Sequence, residues 1–262
     1  MIHPSAIVSS SAELASDVDV GPFAVIDDDV VLGAGTRIEA HALVRRGTRL
    51  GASNVVHPFA VLGGEPQDRR HTGEGTRLEI GDGNVFREHV TVHKGTLHGG
   101  GVTRIGSHGL FMVGAHVAHD CLVGDAVILA NTTLLGGHVT LGSHVVTGGG
   151  VALAPFVRVG ERAFLAGGAM VERDVPPFVI AAGDRARVRA LNKVGLRRSG
   201  VPEASIDRLE RAFVAIFRRG PRAIAAAAAQ SDADPFVRAL AAAVLATPAR
   251  ALVEQASRAT RG

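Results

Sequence analysis

The sequence predicts a mainly β protein: a parallel β-solenoid over residues 1–185, then a small α-helical domain over 186–262. Three observations carry this. An aliphatic residue recurs at every sixth position through most of the chain. A row of small residues runs two positions ahead of it. The period stops at VPPF, after which apolar residues recur at helical spacing.

The first series runs Ile2, Val8, Leu14, Val20, Ile26, Leu32, Ile38, Val44, Leu50, Val56, Leu62 and resumes at Ile80, Phe86 and Val92. A second series, displaced by one residue, runs from Ile105 and Phe111 through Val117, Val123, Leu129, Leu135 and Leu141 to Leu153, Val159, Leu165 and Val171, with Thr147 its one departure. A period of six fits no helix. The small row includes Ala24, Thr36, Ala42, Ala60, Ala115, Cys121, Thr133 and Ala163. Strand side chains alternate, so both rows point inward and fill one narrow interior. Glycine often follows the large residue, as at Gly21, Gly33, Gly81, Gly124 and Gly142, where it is expected to ease a tight corner. Two segments interrupt the register, at 63–79 and 95–103; they are expected to project as loops and to carry function. Beyond the solenoid, Ser205 is the expected N-cap of a helix with Ile206, Leu209, Phe213, Ile216 and Phe217 on one face.

Composition agrees with a thin, regular core: 46% of the 262 residues are apolar, yet there are ten Phe, no Trp and no Tyr. One cysteine excludes an internal disulfide framework and a Cys-based zinc site, and points to a reducing cytoplasm. The start, MIHPSAIVSS, shows no signal peptide, and no apolar run approaches the ~20 residues of a membrane span. A net charge of +3 without a long basic run argues against nucleic-acid binding.

The stretch GAHVAHDC at 114–121 carries the chemistry. With Val117 in the large row and Ala115 and Cys121 in the small row, alternation sends His116 outward, and His119 falls near a corner. Cys121 is expected to be inert packing. With about 18 residues per coil and coils ~4.8 Å apart, His119 and Asp120 stack against Gly137 and His138 as one outward patch. A flat patch encloses no substrate, so a neighbouring subunit is expected to complete a cleft, most simply in a cyclic oligomer.

The motifs GAHVAHDCLVGD, ILANTTLLGGHV, RDVPPFVIAAGD, TVHKGT with HGGGVT, and GEPQDRRHTGE resemble the UDP-N-acetylglucosamine 3-O-acyltransferases, which open lipid A synthesis in Gram-negative bacteria. The resemblance covers nearly the whole chain. It implies a left-handed parallel β-helix of hexapeptide repeats, a cytoplasmic homotrimer with sites between subunits, and transfer of an R-3-hydroxyacyl or related group to the sugar 3-position. The acyl group would arrive on the phosphopantetheine of acyl carrier protein, with no other cofactor and no metal. By the same resemblance His119 is the general base, Asp120 orients it, and the Gly137 N–H stabilises the oxyanion. His116, His138, Gln67, Asp68, Arg70, Asn192 and Arg198 match substrate-contacting positions, and Arg197 with Arg198 suits an acidic carrier. Gly167 matches the position that sets acyl-chain length. Arg70 stands for the usual lysine, Ala154 for a histidine, Gly114 for an asparagine and Arg185 for a histidine; Val194 and Ser199 replace polar or charged residues. These departures leave open a 3-amino sugar acceptor. An N-acyltransferase on the same fold, a zinc hydratase using His116, His119 and His138, and a non-catalytic trimeric binding protein remain the alternatives.

Overall fold

The computed structural model describes residues 1–73, 75–219, 225–226 and 234–246. It is a left-handed parallel β-helix of three long sheets, nine-, eight- and ten-stranded, with each coil giving one short strand to each sheet. Pairing follows the repeat: Ile7 lies against Val25, and His116 against Leu134. From Val20 onward the large row is buried, as are Ala24, Ala42, Ala60, Ala115, Cys121 and Ala163; Ile2 at the open end is exposed. Thr147, the exception in the large row, accepts the Ala130 N–H at 3.0 Å and shares a 2.7 Å hydrogen bond with the Thr133 hydroxyl, so its polar atom is satisfied inside the core.

Two features of the interior differ from the sequence expectation. Except for Gly63, where the first insertion begins, the glycines that follow the large residues do not adopt left-handed angles; they are needed for close approach between coils. A Cβ on Gly33 would lie 2.5 Å from the Gly51 carbonyl carbon, and one on Gly142 2.5 Å from the Glu161 nitrogen. The left-handed residue comes two positions later and is often not glycine: Phe23, His41, Phe59, Asp120, His138 and Phe156 all have φ between 58° and 67°. In addition, Asn54 and Asn84 occupy the small row. The Asn84 amide donates to Asn54 Oδ1 at 3.1 Å and to the Gly106 carbonyl at 3.0 Å, forming a buried ladder.

The two insertions are shorter than expected, because Arg77–Ile80 and Val102–Ile105 are already strands. The first insertion lengthens its coil to 30 residues, two hexads more, so the register resumes unchanged. The second lengthens its coil to 25, one hexad plus one residue, which produces the one-residue displacement of the second series.

Residue 186 is not the start of the helical domain. Arg187–Leu191 forms a strand antiparallel to Val179–Ala182, closing the end of the ten-stranded sheet. Helix α1 spans Lys193–Arg198, α2 spans Glu203–Arg219 and α3 spans Pro235–Ala246. The chain turns into α2 at Pro202, whose carbonyl accepts the Ser205 and Ile206 N–H groups, so Ser205 lies inside the helix rather than at its cap. Ile206, Leu209, Phe213 and Ile216 are buried as the helical period requires. Residues 220–224, 227–233 and 247–262 of the expected helical domain lie outside the described residues, as does residue 74 of the first insertion.

The three outer faces differ. The nine-stranded sheet turns out Ile7, Val25, Leu43, Val61, His116, Leu134 and Met170. The ten-stranded sheet turns out Val55, Val85, Leu110, Ile128, Val146 and Phe164. The eight-stranded sheet turns out Glu13, Arg49, Glu79, Arg104 and Arg158, with Arg104 paired to Glu79 at 3.0 Å. Apart from Asp19 and Arg37 on the first strands of the ten-stranded sheet, two faces are therefore apolar, while the eight-stranded face carries charged residues interspersed with Val31, Leu122 and Thr140. At the edge between the apolar faces, Phe23, His41, Phe59 and His89 stack with centroids 5.1–5.3 Å apart.

Candidate active site

Asp120 and His138 occupy the left-handed corner position on adjacent coils, at the edge between the nine- and eight-stranded sheets. His119 Nδ1 lies 2.8 Å from Asp120 Oδ2. His138 Nε2 is 3.7 Å from the same oxygen, and its ring stands at 90° to that of His119. The other side of His138 stacks on Phe156 at 4.4 Å. Phe156 therefore fills the next rung of this edge, two residues after Ala154.

The Asp120 side chain is only 1% exposed. Burial opposes its ionisation, but hydrogen bonds from the Thr96 hydroxyl and N–H and from His119, with His138 nearby, together hold its carboxyl below the usual value. An ionised carboxylate only accepts, so His119 carries its proton on Nδ1 and presents Nε2 as a free lone pair. Gly137 packs against that atom: a Cβ there would lie 2.9 Å from Nε2 and 2.7 Å from Cε1. Glycine thus keeps the basic nitrogen accessible. Among the described residues, the Gly137 N–H has no acceptor.

His116 is half-buried and bonded through Nδ1 to the Thr91 hydroxyl at 2.8 Å. Burial, with His119 nearby, lowers its pKa. Behind it His93, which alternation from Val92 would send outward, is buried. Burial, with His116 and His119 nearby, pushes its pKa down to about 4, and its Nδ1 has no partner among the described residues. His93 must therefore stay neutral in the folded state. In the unfolded chain it protonates at its ordinary value near 6.5. The stability it contributes is thus complete above about pH 6.5 and is lost on acidification toward pH 4, by up to about 3 kcal/mol. Urea titrations of wild type and His93→Asn between pH 7 and 4.5 test this; the variant's curve should be flatter.

The two insertions meet beside this corner. Asp68 accepts from Arg70 Nη2 at 2.7 Å, and its Oδ2 lies 3.1 Å from Nε2 of His98 in the second insertion. The Arg70 side-chain and backbone hydrogen bonds hold the Asp68 carboxyl well below the carboxylate range. Burial chiefly lowers the pKa of His138, and His119, His98 and Arg70 add to this against the opposing pull of Asp120. Gln67 is exposed. The first insertion is anchored by Glu65, which bonds Lys94 Nζ at 2.8 Å; that lysine side chain is only 5% exposed.

The remaining predicted residues lie elsewhere in the protomer. Asn192 caps α1, its Oδ1 accepting the Gly195 N–H at 3.0 Å, and its Nδ2 donates to the Arg162 carbonyl at 2.9 Å. That is the edge between the eight- and ten-stranded sheets. Arg198, in the last turn of α1, is exposed, while Arg197 is committed to Glu203. Gly167 is exposed at the far edge of the nine-stranded sheet, three rungs beyond His116. Cys121 is fully buried, its Sγ 3.2 Å from the Gly136 carbonyl, and burial raises its thiol to about 12, consistent with inert packing. His119, Asp120 and His138 offer donor atoms within 4.8 Å of one another; His116 is not in that group.

A family described as UDP-N-acetylglucosamine O-acyltransferase, domain 2, matches residues 174–253. An acyl-[acyl-carrier-protein]–UDP-N-acetylglucosamine O-acyltransferase of Syntrophobacter fumaroxidans is 44% identical over 84% of this chain and 85% of its own length. Among solved structures, the UDP-N-acetylglucosamine O-acyltransferase of Moraxella catarrhalis superposes with a TM-score of 0.93 at 36% identity, covering 97% of this chain and 99% of that one. The acyltransferase of Campylobacter jejuni superposes with a TM-score of 0.93 at 35% identity over 98% and 100%. With the predicted coil and the His119–Asp120 corner both present, these matches place the chain in the acyl-[acyl-carrier-protein]–UDP-N-acetylglucosamine O-acyltransferase family.

Proposed function

We propose that the protein transfers an R-3-hydroxyacyl group from the phosphopantetheine thioester of acyl carrier protein to the 3-hydroxyl of UDP-N-acetylglucosamine, the first step of lipid A synthesis, in the cytoplasm and without a metal or other cofactor. The observation that carries this reading is the His119 Nδ1–Asp120 bond, which leaves Nε2 free at the one rung where Gly137 keeps the space above it open. As the sugar oxygen attacks the thioester carbonyl, Nε2 takes its proton, and Asp120 stabilises the resulting imidazolium. The Gly137 N–H donates to the oxyanion. The intermediate collapses with cleavage of the C–S bond, and the imidazolium returns its proton to the departing thiolate. His116, His138, Gln67, Asp68 and Arg70 contact the substrates around this centre.

The outer faces favour a cyclic trimer. Two different apolar faces cannot pair isologously; packing the nine-stranded face of one protomer on the ten-stranded face of the next closes a ring. The edge of stacked Phe and His rings then points to the axis, and the charged face points to water. The same packing brings the His119 edge of one protomer beside the Arg162 and Asn192 edge of its neighbour. Arg198 then reaches the nucleotide or the carrier protein from the adjacent subunit, and Gly167 lies along the interface, where absence of a side chain leaves room for a long acyl chain. No helix among the described residues is long and apolar enough to cross a membrane.

The test is an acyl-transfer assay with carrier-protein thioesters of several lengths against UDP-N-acetylglucosamine and its 3-amino analogue, together with metal analysis of the purified protein. Ester formation on the 3-hydroxyl with little bound metal supports the proposal. Acylation of the amine alone would reassign the acceptor, and about one tightly held zinc per subunit would overturn the metal-free mechanism.

A further inference from the structure

The second insertion reaches back to Asp120 with a contact that the acyl-transfer chemistry outlined above does not use. Thr96 donates its N–H to Asp120 Oδ1 at 2.8 Å and its hydroxyl to Oδ2 at 2.7 Å, gripping both carboxylate oxygens. Thr96 is fully buried. It also caps the 3₁₀ turn Leu97–Gly99, where its hydroxyl oxygen accepts the Gly99 N–H at 3.2 Å. A hydroxyl has one proton. Since its oxygen already accepts from Gly99, that proton is directed at Asp120. From the backbone side, the Asp120 N–H donates to Thr103 Oγ1 at 2.8 Å, which ties the residue to the other end of the same insertion. Gly99 closes the cradle: a Cβ there would lie 2.2 Å from Asp120 Cγ.

We infer that Thr96, held by the Gly99 turn, is a positioning residue that keeps Asp120 ionised and aimed at His119 Nδ1, and so fixes which imidazole nitrogen is basic. The argument is one of donors and acceptors. Each carboxylate oxygen receives at least one hydrogen bond from Thr96, whose N–H cannot accept and whose hydroxyl proton is already directed. A proton added to Asp120 would weaken all three of these bonds, the two from Thr96 and the one from His119 Nδ1, because a neutral carboxyl is a poorer acceptor than a carboxylate. The insertion therefore favours the acceptor-only form of the carboxylate, and with it the Nδ1-protonated tautomer of His119. The charged or titratable groups around Asp120 are His119 and His138 on the stacked coils and Cys121 beside it; His98 belongs to the 3₁₀ turn, with Asp68 and Arg70 beyond it. Among these, Thr96 is the neutral residue that binds both oxygens. This inference rests on the proposed base role of His119.

Thr96→Val removes the hydroxyl while keeping size and the backbone bond; Thr96→Ser restores the hydroxyl. In Thr96→Val, kcat is expected to fall roughly 10- to 100-fold with KM for the nucleotide sugar nearly unchanged. The acid limb of the kcat–pH profile should also move to higher pH, because a carboxyl without that bond protonates more readily. Thr96→Ser should recover both. Wild-type kcat and an unmoved acid limb in a folded Thr96→Val, or a loss that Ser does not recover, would overturn the inference. If Thr96→Val does not fold, Gly99→Ala serves: it keeps the hydroxyl but presses on the carboxylate, and a wild-type kcat and acid limb there would count against the inference equally. His119→Ala separates the two readings, since full activity in that variant would remove the base role itself, whatever Thr96 does.

Discussion

Replacing His119 with Ala is expected to lower acyl transfer by roughly 100- to 10,000-fold, the range that general-base catalysis supplies, while the coil stays intact. The side chain is 13% exposed and lies outside the two inward rows, so its removal opens no void in the core. What it removes is the lone pair on Nε2. A sugar hydroxyl must lose its proton as it attacks, and no other imidazole at this corner is arranged to take it. His138 Nε2 is 3.7 Å from Asp120, beyond hydrogen-bond reach, and its ring is held against Phe156. His116 is bonded to Thr91 through Nδ1, and burial lowers its pKa. Single-turnover acyl transfer, with size-exclusion chromatography as the check on assembly, makes the measurement. An active His119→Ala protein of unchanged assembly would show that the base lies elsewhere.

Mixing two inactive variants is expected to restore activity, which is the sharpest consequence of the face assignment. His119 lies at one edge of the prism and Arg198 ends the helix capped at another, so in the proposed ring each site would take the two from different protomers. His119→Ala and Arg198→Glu should each be severely impaired alone. Refolded or co-expressed together, random cyclic assembly leaves about a quarter of the interfaces with both wild-type edges. Activity near that fraction is the predicted result. Mixed assemblies as inactive as their parents would mean that both residues act within one protomer, or that Arg198 is not used at all.

The architecture was legible because the solenoid repeats its constraint. Each inward position meets the same narrow interior, so an eleven-member aliphatic series identifies a register that one strand never could. Parity then separated Cys121 from its histidine neighbours and set Asp120 beneath His138, as the 3.7 Å approach bears out. What parity could not supply was anything routed through the insertions. Thr96 is 24 residues from Asp120 across a coil lengthened from 18 to 25 residues, so the 18-residue stacking rule does not connect them. His93 obeys alternation and yet is buried, because Gly64 of the preceding coil packs on its ring: a Cβ there would lie 2.9 Å from its Cδ2. The role of glycine differs from the sequence expectation for a related reason. The frequency of glycine after the large residue reports the distance to the next coil, a tertiary fact, whereas the left-handed turns fall also on residues such as Phe that no propensity would choose.

Those left-handed corners bear on how the reactive pair came to be where it is. Asp120 and His138 have φ of 60° and 62°, and Phe23, His41 and Phe59 have 58°, 60° and 63°. The reacting corner bears no distortion that inert corners lack. Its backbone is the common vertex of the coil, and only its substituents and the two insertions above it are special. Catalysis here is an ornament on a translational lattice: the scaffold offers the same stage at every rung, and the insertions select the rung that is used.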